Sequence, residues 1–345
     1  MPRRLLACLA LIAATAALTA CGSKKDDTSA TPRAQHLTLL LDYYPNADHA
    51  GIYAAQARGD FQRAGLDVGI EVPSDPAAPL KLLQAGRVDL AISYEPELLL
   101  ARDKGAQLVA VGAISQVPLT SIMAIGSAKI RSPADLEGKT VGTAGIPYQS
   151  AYLKTILNKA GVDPAKVKEV NVGFNLVPAM LSKRVDATLG AFWNVEGVQL
   201  RRRHKDPTVI RTEHAGVPTY NELVLVARES ELRGRGKLVR RFIQALQAGT
   251  EAVRADPAVG VAPLVKANPD LDGSFELASV KATLPVFFPA KSDQPFGWQD
   301  PDQWRAYETW MRDNGFITQP STAAALTNEF LPGEGVVSGE VQPGG

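Results

Sequence analysis

Residues 82–91, LLQAGRVDLA, decide the fold together with residues 179–188, AMLSKRVDAT, which repeat their pattern 97 positions later. In each copy a short helical pattern runs into Arg-Val-Asp and then into an apolar segment with the spacing of a strand. A further strand is predicted before each copy, over residues 66–72 and residues 167–172. A solenoid would need more copies. We therefore interpret the repeat as two α/β lobes of similar design.

The rest of the chain fits this design, because short apolar runs alternate with helical patterns as in βαβ units. The predicted fold class is α/β, with parallel sheets. Lobe 1 is predicted to contain residues 36–120 plus residues 227–332, and lobe 2 residues 121–226.

Three apolar segments show how the chain joins the lobes. Residues 120–125 and residues 223–226 are short enough to be strands that cross between lobes. Residues 237–253 place their apolar side chains on one helical face, which predicts a long amphipathic helix that returns to lobe 1.

The composition excludes several classes of protein. Hydrophobic residues make up 45% and charged residues 21% of the 345 residues, which is ordinary globular composition. The 37 Lys and Arg nearly cancel the 36 Asp and Glu, whereas nucleic-acid-binding domains carry a clustered basic excess. The one dense basic run, residues 201–205, is interpreted as a solvated helix end. We predict no nucleic-acid partner.

The beginning of the chain has the layout of an export signal. Two arginines precede apolar residues 5–18, a stretch too short to span a bilayer comfortably. Residues 18–22, LTACG, have the small residues before a cysteine that bacterial lipidation requires. We predict that residues 1–20 are a lipoprotein signal peptide and that Cys21 is lipidated. The protein would then be anchored on the extracytoplasmic face of the cell membrane.

The two ends of the mature chain carry few core-forming residues. Residues 21–35 are predicted to be a flexible tether and residues 333–345 a disordered tail. Cys8 leaves with the signal, so the mature chain has no thiol besides Cys21 and no disulfide. It retains 35 basic and 36 acidic residues, so no broad attraction to anionic lipid is expected.

Polar and aromatic residues follow four of the predicted strands and fill one further loop. Ligands of open α/β sheets bind outside the carboxyl ends of the strands, so these residues are expected to converge in the cleft between the lobes. Each ring could instead cap a sheet end as part of the core. The rings are Tyr44, Tyr94, Tyr148, Trp193 and Tyr220.

The polar neighbours of these rings indicate the chemistry of a ligand. Carboxylates accept hydrogen bonds from an amino-substituted ring, and amides donate or accept. Aromatic side chains stack on the faces of a flat ligand. No basic residue dominates the loops, which disfavours a phosphate or sulfonate. A flat, polar heteroaromatic ligand is therefore expected beside Asp42, Glu95, Glu196, Glu222, Asn46, Asn194 and Asn221.

Signals for catalysis are sparse. The four histidines form no HExxH pair and no Ser/His/Asp motif, and no glycine-rich phosphate loop stands between a strand and a helix. His49 opens a predicted helix, where it acts as a cap or a ligand contact. We predict no catalytic residue, no metal and no cofactor.

Residues 41–53, LDYYPNADHAGIY, resemble the opening of the NMT1/THI5-like substrate-binding proteins. The resemblance implies a type II periplasmic-binding-protein fold, in which two lobes joined by two crossover strands close around a ligand. It also implies delivery of that ligand to an ABC permease with its ATPase, and a monomeric state. The likeness covers roughly residues 37–330 and includes residues 59–61, 65–68, 138–142 and 304–317.

Within this family the chain is most similar to the thiamine-precursor branch, whose ligands are aminopyrimidines such as hydroxymethyl- or formylaminopyrimidine. Closure is expected to place Tyr94 and Trp193 on opposite faces of the ring. The resemblance implies ligand contacts at Asp42, Asn46, His49, Tyr94, Glu95, Trp193 and Glu196. The position at strand ends alone adds Tyr44, Tyr148, Asn194 and Tyr220.

Two alternatives remain. The ligand could be riboflavin, which needs a longer cleft, or a sulfonate, which needs more hydrogen-bond donors. The family also resembles a pyrimidine synthase of the same fold, and His49 aligns with the histidine which that enzyme consumes. The synthase's cysteine-rich, iron-associated motif has no counterpart in this sequence.

Overall fold

The computed structural model describes residues 34–333, which belong to one compact unit. The predicted signal peptide, Cys21, most of the predicted tether and nearly all of the predicted tail lie outside these residues. The strands are β1 (Gln35–Leu40), β2 (Leu66–Glu71), β3 (Leu90–Ser93), β4 (Leu108–Ala113), β5 (Thr120–Ala124), β6 (Thr140–Thr143), β7 (Lys168–Asn171), β8 (Ala187–Phe192), β9 (Thr208–Arg211) and β10 (Val224–Arg228).

Helices cover both sheets and fill the chain after β10. Short 3₁₀ turns, among them Ala47–His49, connect several elements. The α-helices are α1 (Ala50–Ala57), α2 (Asp60–Arg63), α3 (Pro79–Gln84), α4 (Glu95–Asp103), α5 (Pro147–Lys159), α6 (Leu176–Leu181), α7 (Glu196–Arg202), α8 (Thr212–Ala215), α9 (Glu229–Ala255), α10 (Ala258–Ala267), α11 (Gly273–Thr283), α12 (Pro301–Asp313) and α13 (Thr322–Ala325).

The strands of the described residues form two five-stranded sheets. Sheet 1 has the order β2-β1-β3-β10-β4 and sheet 2 the order β7-β6-β8-β5-β9. In each sheet three neighbouring strands are parallel, and the fourth is antiparallel to both of its neighbours. The two sheets thus share one topology, and the predicted α/β fold of the type II periplasmic-binding-protein kind is confirmed.

The sequence repeat has the same structural role in both sheets. The aspartate of each Arg-Val-Asp stands just before the third strand of its sheet. Asp89 accepts a hydrogen bond from the Thr38 backbone N–H at 2.8 Å, and Asp186 accepts one from the Thr140 backbone N–H at 2.8 Å. The backbone N–H of each aspartate donates back to the same threonine's carbonyl. The repeat therefore fixes the register between the helix–strand unit and the central parallel strand.

The two apolar runs interpreted as crossing strands are each part of one sheet. β5 pairs with β8 and β9 in sheet 2, and β10 pairs with β3 and β4 in sheet 1. The chain consequently crosses between the sheets in residues 114–119 and residues 216–223. The edge strand β9 was not predicted, because its four residues are only half-buried and show no clear alternation.

The long helix begins earlier than the sequence pattern indicates. α9 starts at Glu229, eight residues before the predicted start, and continues through Gly234 and Gly236. Glycine disfavours a helix, so helix propensity does not predict the first part of α9. Packing explains one of the two glycines, since a Cβ at Gly236 would lie 2.6 Å from the Phe330 ring.

A matched pair of glycine substitutions in α9 tests how tightly this helix packs. A Cβ at Gly249 would lie 2.4 Å from the Gly51 carbonyl oxygen in α1, whereas nothing lies within 4 Å of one at Gly234. Gly249→Ala should lower the free energy of unfolding by about 1–3 kcal/mol through overpacking. Gly234→Ala should raise it by about 0.4–1 kcal/mol. Urea unfolding measures both, and equal effects would contradict the α1–α9 packing.

Candidate ligand-binding site

A cavity of about 320 Å³, including its open side, lies between the two sheets. Its walls come from the residues that follow β1 and β3 in sheet 1 and β6 and β7 in sheet 2, together with the end of β8 and the segment after it. This is the position where ligands of open α/β sheets bind. The lining residues are Asp42, Tyr43, Tyr94, Ala144, Ile146, Tyr148, Gln149, Leu176, Gly190, Phe192 and Glu196.

On the sheet 1 side, Asp42 is the centre of a buried hydrogen-bond network. Its Oδ2 accepts from the Tyr94 hydroxyl at 2.8 Å, and its Oδ1 lies 2.9 Å from His49 Nε2. The Asn46 backbone N–H donates to His49 Nδ1 at 3.2 Å. Because Nδ1 accepts, Nε2 carries the proton and donates to Asp42. His49 thus orients the carboxylate from behind and does not line the cavity.

On the sheet 2 side, Glu196 provides the second carboxylate of the cavity. The Phe192 backbone N–H donates to Glu196 Oε2 at 2.7 Å. Burial raises the pKa of Glu196 to about 7. The Tyr43 hydroxyl is buried and has no hydrogen-bond partner among the described residues, and burial together with Glu196 and Asp42 raises the pKa of this phenol. Tyr43 therefore presents a free O–H beside two carboxylates.

Gln149 is a further polar group of the cavity wall. Its Oε1 accepts from the Ala144 backbone N–H at 2.8 Å, which leaves its amide N–H groups facing Gly190. A Cβ at Gly190, which has a φ of 115°, would lie 2.4 Å from Gln149 Nε2. Glycine at this position is required both by the backbone and by the close approach of the amide.

The structure brings four of the predicted site residues to the cavity: Asp42, Tyr94, Tyr148 and Glu196. Tyr44 is 48% exposed and packs outside the cavity on Phe174, with ring centroids 4.1 Å apart. Asn46 is the N-cap of the turn Ala47–His49, where its Oδ1 accepts from the Asp48 N–H. Neither Tyr44 nor Asn46 lines the cavity.

Trp193 lies outside the cavity, contrary to the expectation that it faces Tyr94 across a ring. Its Nε1 donates to the Pro118 carbonyl at 3.0 Å, and the Arg211 guanidinium lies 4.1 Å from its ring centroid. β8 ends at Phe192, which lines the cavity, and Trp193 follows it in the turn that leads to α7.

Asn194 connects the two lobes and does not line the cavity. Its side-chain amide donates to Asp48 Oδ1 at 2.6 Å and to Thr283 Oγ1 at 2.7 Å. The Ser279 hydroxyl donates to the Asn194 carbonyl at 2.6 Å. A residue that follows β8 is thereby held by the first loop of sheet 1 and by α11, so these contacts latch the lobes together.

Glu95 and Tyr220 are buried at the segments that join the sheets. Glu95 Oε2 accepts from the Asn221 backbone N–H at 2.7 Å, and burial raises the pKa of Glu95 well above its ordinary value. The Tyr220 hydroxyl donates to Glu222 Oε2 at 3.0 Å. Their position makes both residues part of the junction and not of the cavity wall.

Several lining residues were not predicted. Tyr43 and Phe192 each adjoin a residue that was singled out, but for Phe192 the choice depends on the register of β8, whose pairing with β5 shifts. Ile146 and Leu176 are apolar and carry no chemical signature in the sequence. Within residues 34–333, no group of three or more His, Cys, Asp or Glu could hold a metal ion. No helix there is long and apolar enough to cross a membrane.

Comparison with known proteins identifies the family. The family model described as NMT1/THI5 like matches residues 46–259. The formylaminopyrimidine-binding protein of Halalkalibacterium halodurans is 34% identical over 289 residues, which are 83% of this chain and 87% of that protein. The 4-amino-5-hydroxymethyl-2-methylpyrimidine phosphate synthase of Legionella pneumophila is 25% identical, over 86% of this chain and 92% of that enzyme.

A solved structure with the same fold is the alkanesulfonate-binding protein SsuA of Xanthomonas axonopodis pv. citri bound to MOPS. It superposes with a TM-score of 0.65 at 19% sequence identity, and the match covers 86% of this chain and 99% of that one. At this identity the likeness concerns the fold.

Glu276 of α11 makes stability depend on pH. Both of its carboxylate oxygens are buried and accept no hydrogen bond from residues 34–333, and burial, Glu196 and Asp272 raise its pKa to about 7. Between about pH 4.5 and pH 7, the folded state holds a proton on Glu276 that the unfolded state has lost. The free energy of unfolding therefore falls as pH rises across this range. Glu276→Gln should stabilise the protein by about 1–3 kcal/mol at about pH 8 and little at about pH 5.

Urea unfolding at both pH values measures this difference. Glu71→Gln, at an exposed carboxylate at the end of β2, is the matched control and should change neither value. A Glu276→Gln effect of equal size at both pH values would contradict the assignment.

Proposed function

The chain belongs to the NMT1/THI5-like family, and we propose that it is the extracytoplasmic substrate-binding protein of an ABC importer. Its ligand is a thiamine-precursor aminopyrimidine, formylaminopyrimidine or hydroxymethylaminopyrimidine, held in the cavity between the sheets. The observation that carries this proposal is the composition of the cavity wall, whose described residues include two carboxylates and four aromatic rings but no lysine or arginine.

Each polar group of the wall has a counterpart on an aminopyrimidine. The exocyclic amino group donates to a carboxylate, Asp42 or Glu196, and a ring nitrogen or substituent oxygen accepts from the Tyr43 hydroxyl or the Gln149 amide. The rings of Tyr94, Tyr148 and Phe192 supply faces and edges for stacking. The similar binding protein of Halalkalibacterium halodurans is named for the same class of ligand.

The two alternative ligands fit this wall less well. A sulfonate is an anion, and Asp42 and Glu196 would repel it in a cavity without a cationic side chain. Riboflavin has three fused rings and a ribityl chain, and it would need a longer cleft than an aminopyrimidine. The wall thus favours a small ring that donates hydrogen bonds.

We propose binding and not synthesis, although a more distant relative is a synthase. Both ring nitrogens of His49 are engaged, one by Asp42 and one by the Asn46 backbone. The sequence has no cysteine after Cys21. The role of His49 here is therefore to position Asp42 for the ligand.

The two lobes provide a way to capture the ligand. Ligand enters between them, and closure brings the Asn194 amide against Asp48 and Thr283. The closed protein then docks on the permease, whose ATPase drives release. We further propose that the protein is monomeric and is held at the membrane by lipid on Cys21.

The melting temperature of the chain from Ala34 onward tests the ligand assignment. Formylaminopyrimidine, hydroxymethylaminopyrimidine, thiamine, riboflavin and taurine are compared, and a ligand at about 100 times its Kd adds ~2.7 kcal/mol of stability. Only the two aminopyrimidines should raise the melting temperature. A rise with riboflavin or taurine alone would contradict the proposed ligand.

Two adjacent substitutions locate the site. Phe192→Ala removes a ring of the cavity wall and should weaken aminopyrimidine binding by about 1–3 kcal/mol, measured by calorimetry. Trp193→Ala is the matched control, because this ring packs on Pro118 and Arg211 outside the cavity. The opposite order of effects would place the ligand elsewhere.

A further inference from the structure

The first half of α9 carries an unusual concentration of positive charge. Arg233, Lys237, Arg240 and Arg241 fall within nine residues of one helix, and Arg233 and Lys237 are exposed. The whole chain is nearly neutral, so this charge is a local surplus. We call these four residues the basic face.

Among residues 34–333, no carboxylate forms an ion pair with the basic face, although Arg233 shares a surface pocket with Glu229 and Glu329. Arg240 donates to the backbone carbonyl of Glu329, and Arg241 donates to the Ala64 carbonyl and to the Gln35 side chain. These acceptors are uncharged. Among residues 34–333, Arg233 and Lys237 form no ion pair.

The two acidic residues of the first half of α9 are already engaged by other arginines. Glu229 pairs with Arg102, and Glu231 pairs with Arg228 and Arg235. They therefore leave the four charges of the basic face available to an external anion.

The position of the basic face indicates which anion it meets. Together with Arg235, three of its residues line an open groove that contains Gln35 and, among the residues that the structure describes, no carboxylate. Gln35 begins β1, so the segment that would lead to the lipid on Cys21 enters here. The cavity lies at the other end of β1, ~20 Å away at ~3.3 Å per residue.

We infer that the basic face is a contact surface for the anionic phospholipid headgroups of the membrane to which the chain is attached. The inference rests on the extracytoplasmic attachment proposed above. Each Lys or Arg near an anionic membrane raises the affinity of the protein for that membrane roughly fivefold. Added salt screens this attraction and lowers the affinity. Contact at this end of lobe 1 leaves the cavity open to solvent.

Vesicle sedimentation of the chain from Ala34 onward, which forms its own compact unit without the lipid, tests the inference. The protein should bind vesicles that contain phosphatidylglycerol and not vesicles of phosphatidylcholine alone, and binding should fall with added salt. Lys237→Gln with Arg240→Gln should weaken binding at least about tenfold. Lys237→Gln alone, whose side chain holds no structural contact, should weaken it about fivefold.

The matched control removes two exposed charges from the other lobe, Lys154→Gln with Lys168→Gln, and should bind like the unchanged protein. Equal losses in both double variants, or no binding to phosphatidylglycerol vesicles, would overturn the inference. Displacement by inorganic phosphate beyond that by chloride of equal ionic strength would also overturn it, because the groove would then be a site for a free anion. The aminopyrimidine-induced melting shift should persist in every variant, which separates this test from that of the ligand.

Discussion

One buried carboxylate holds the two crossings of the chain together. Glu222, in the second crossing, accepts hydrogen bonds from the Leu119 and Thr120 backbone N–H groups at 2.6 and 2.8 Å, where the first crossing enters sheet 2. It also accepts from the Thr120 and Tyr220 hydroxyls. Burial raises its pKa to about 7, against the opposing effect of these four donors. Because both crossings meet at this side chain, the relative position of the sheets, and hence the shape of the cavity between them, depends on it.

The absence of lysine and arginine from the described cavity wall decides which ligands the cavity can hold. Asp42 is held by the neutral donors His49 and Tyr94, and Glu196 by a backbone N–H. A carboxylate in low dielectric with few donors gains from a ligand that donates hydrogen bonds and loses from an anion. The aromatic wall and this electrostatic bias therefore favour a ring ligand that donates hydrogen bonds, although solved structures of the same fold include a sulfonate-binding protein.

The sequence predicts the features that local chemistry determines. The alternation of strand and helix and the repeated Arg-Val-Asp carry the fold, because Asp89 and Asp186 make the same backbone contacts in the two sheets. Four strand ends were expected to converge, and they line one cavity.

The sequence could not assign individual side chains there. Whether Asn194 contacts a ligand or the opposite lobe depends on how the lobes close, and the cavity-facing side of β8 depends on the register of a strand whose pairing with β5 shifts. Both the contacts of Asn194 and the orientation of β8 are determined by long-range packing.

The most direct test of this account is the crystal structure of the protein grown with saturating formylaminopyrimidine. The pyrimidine should lie between the sheets, with its amino group at Asp42 or Glu196, rings of the wall against its faces, and Asn194 still bonded to Asp48. A pyrimidine bound outside this cavity, or a cavity that stays empty at saturating ligand, would contradict it.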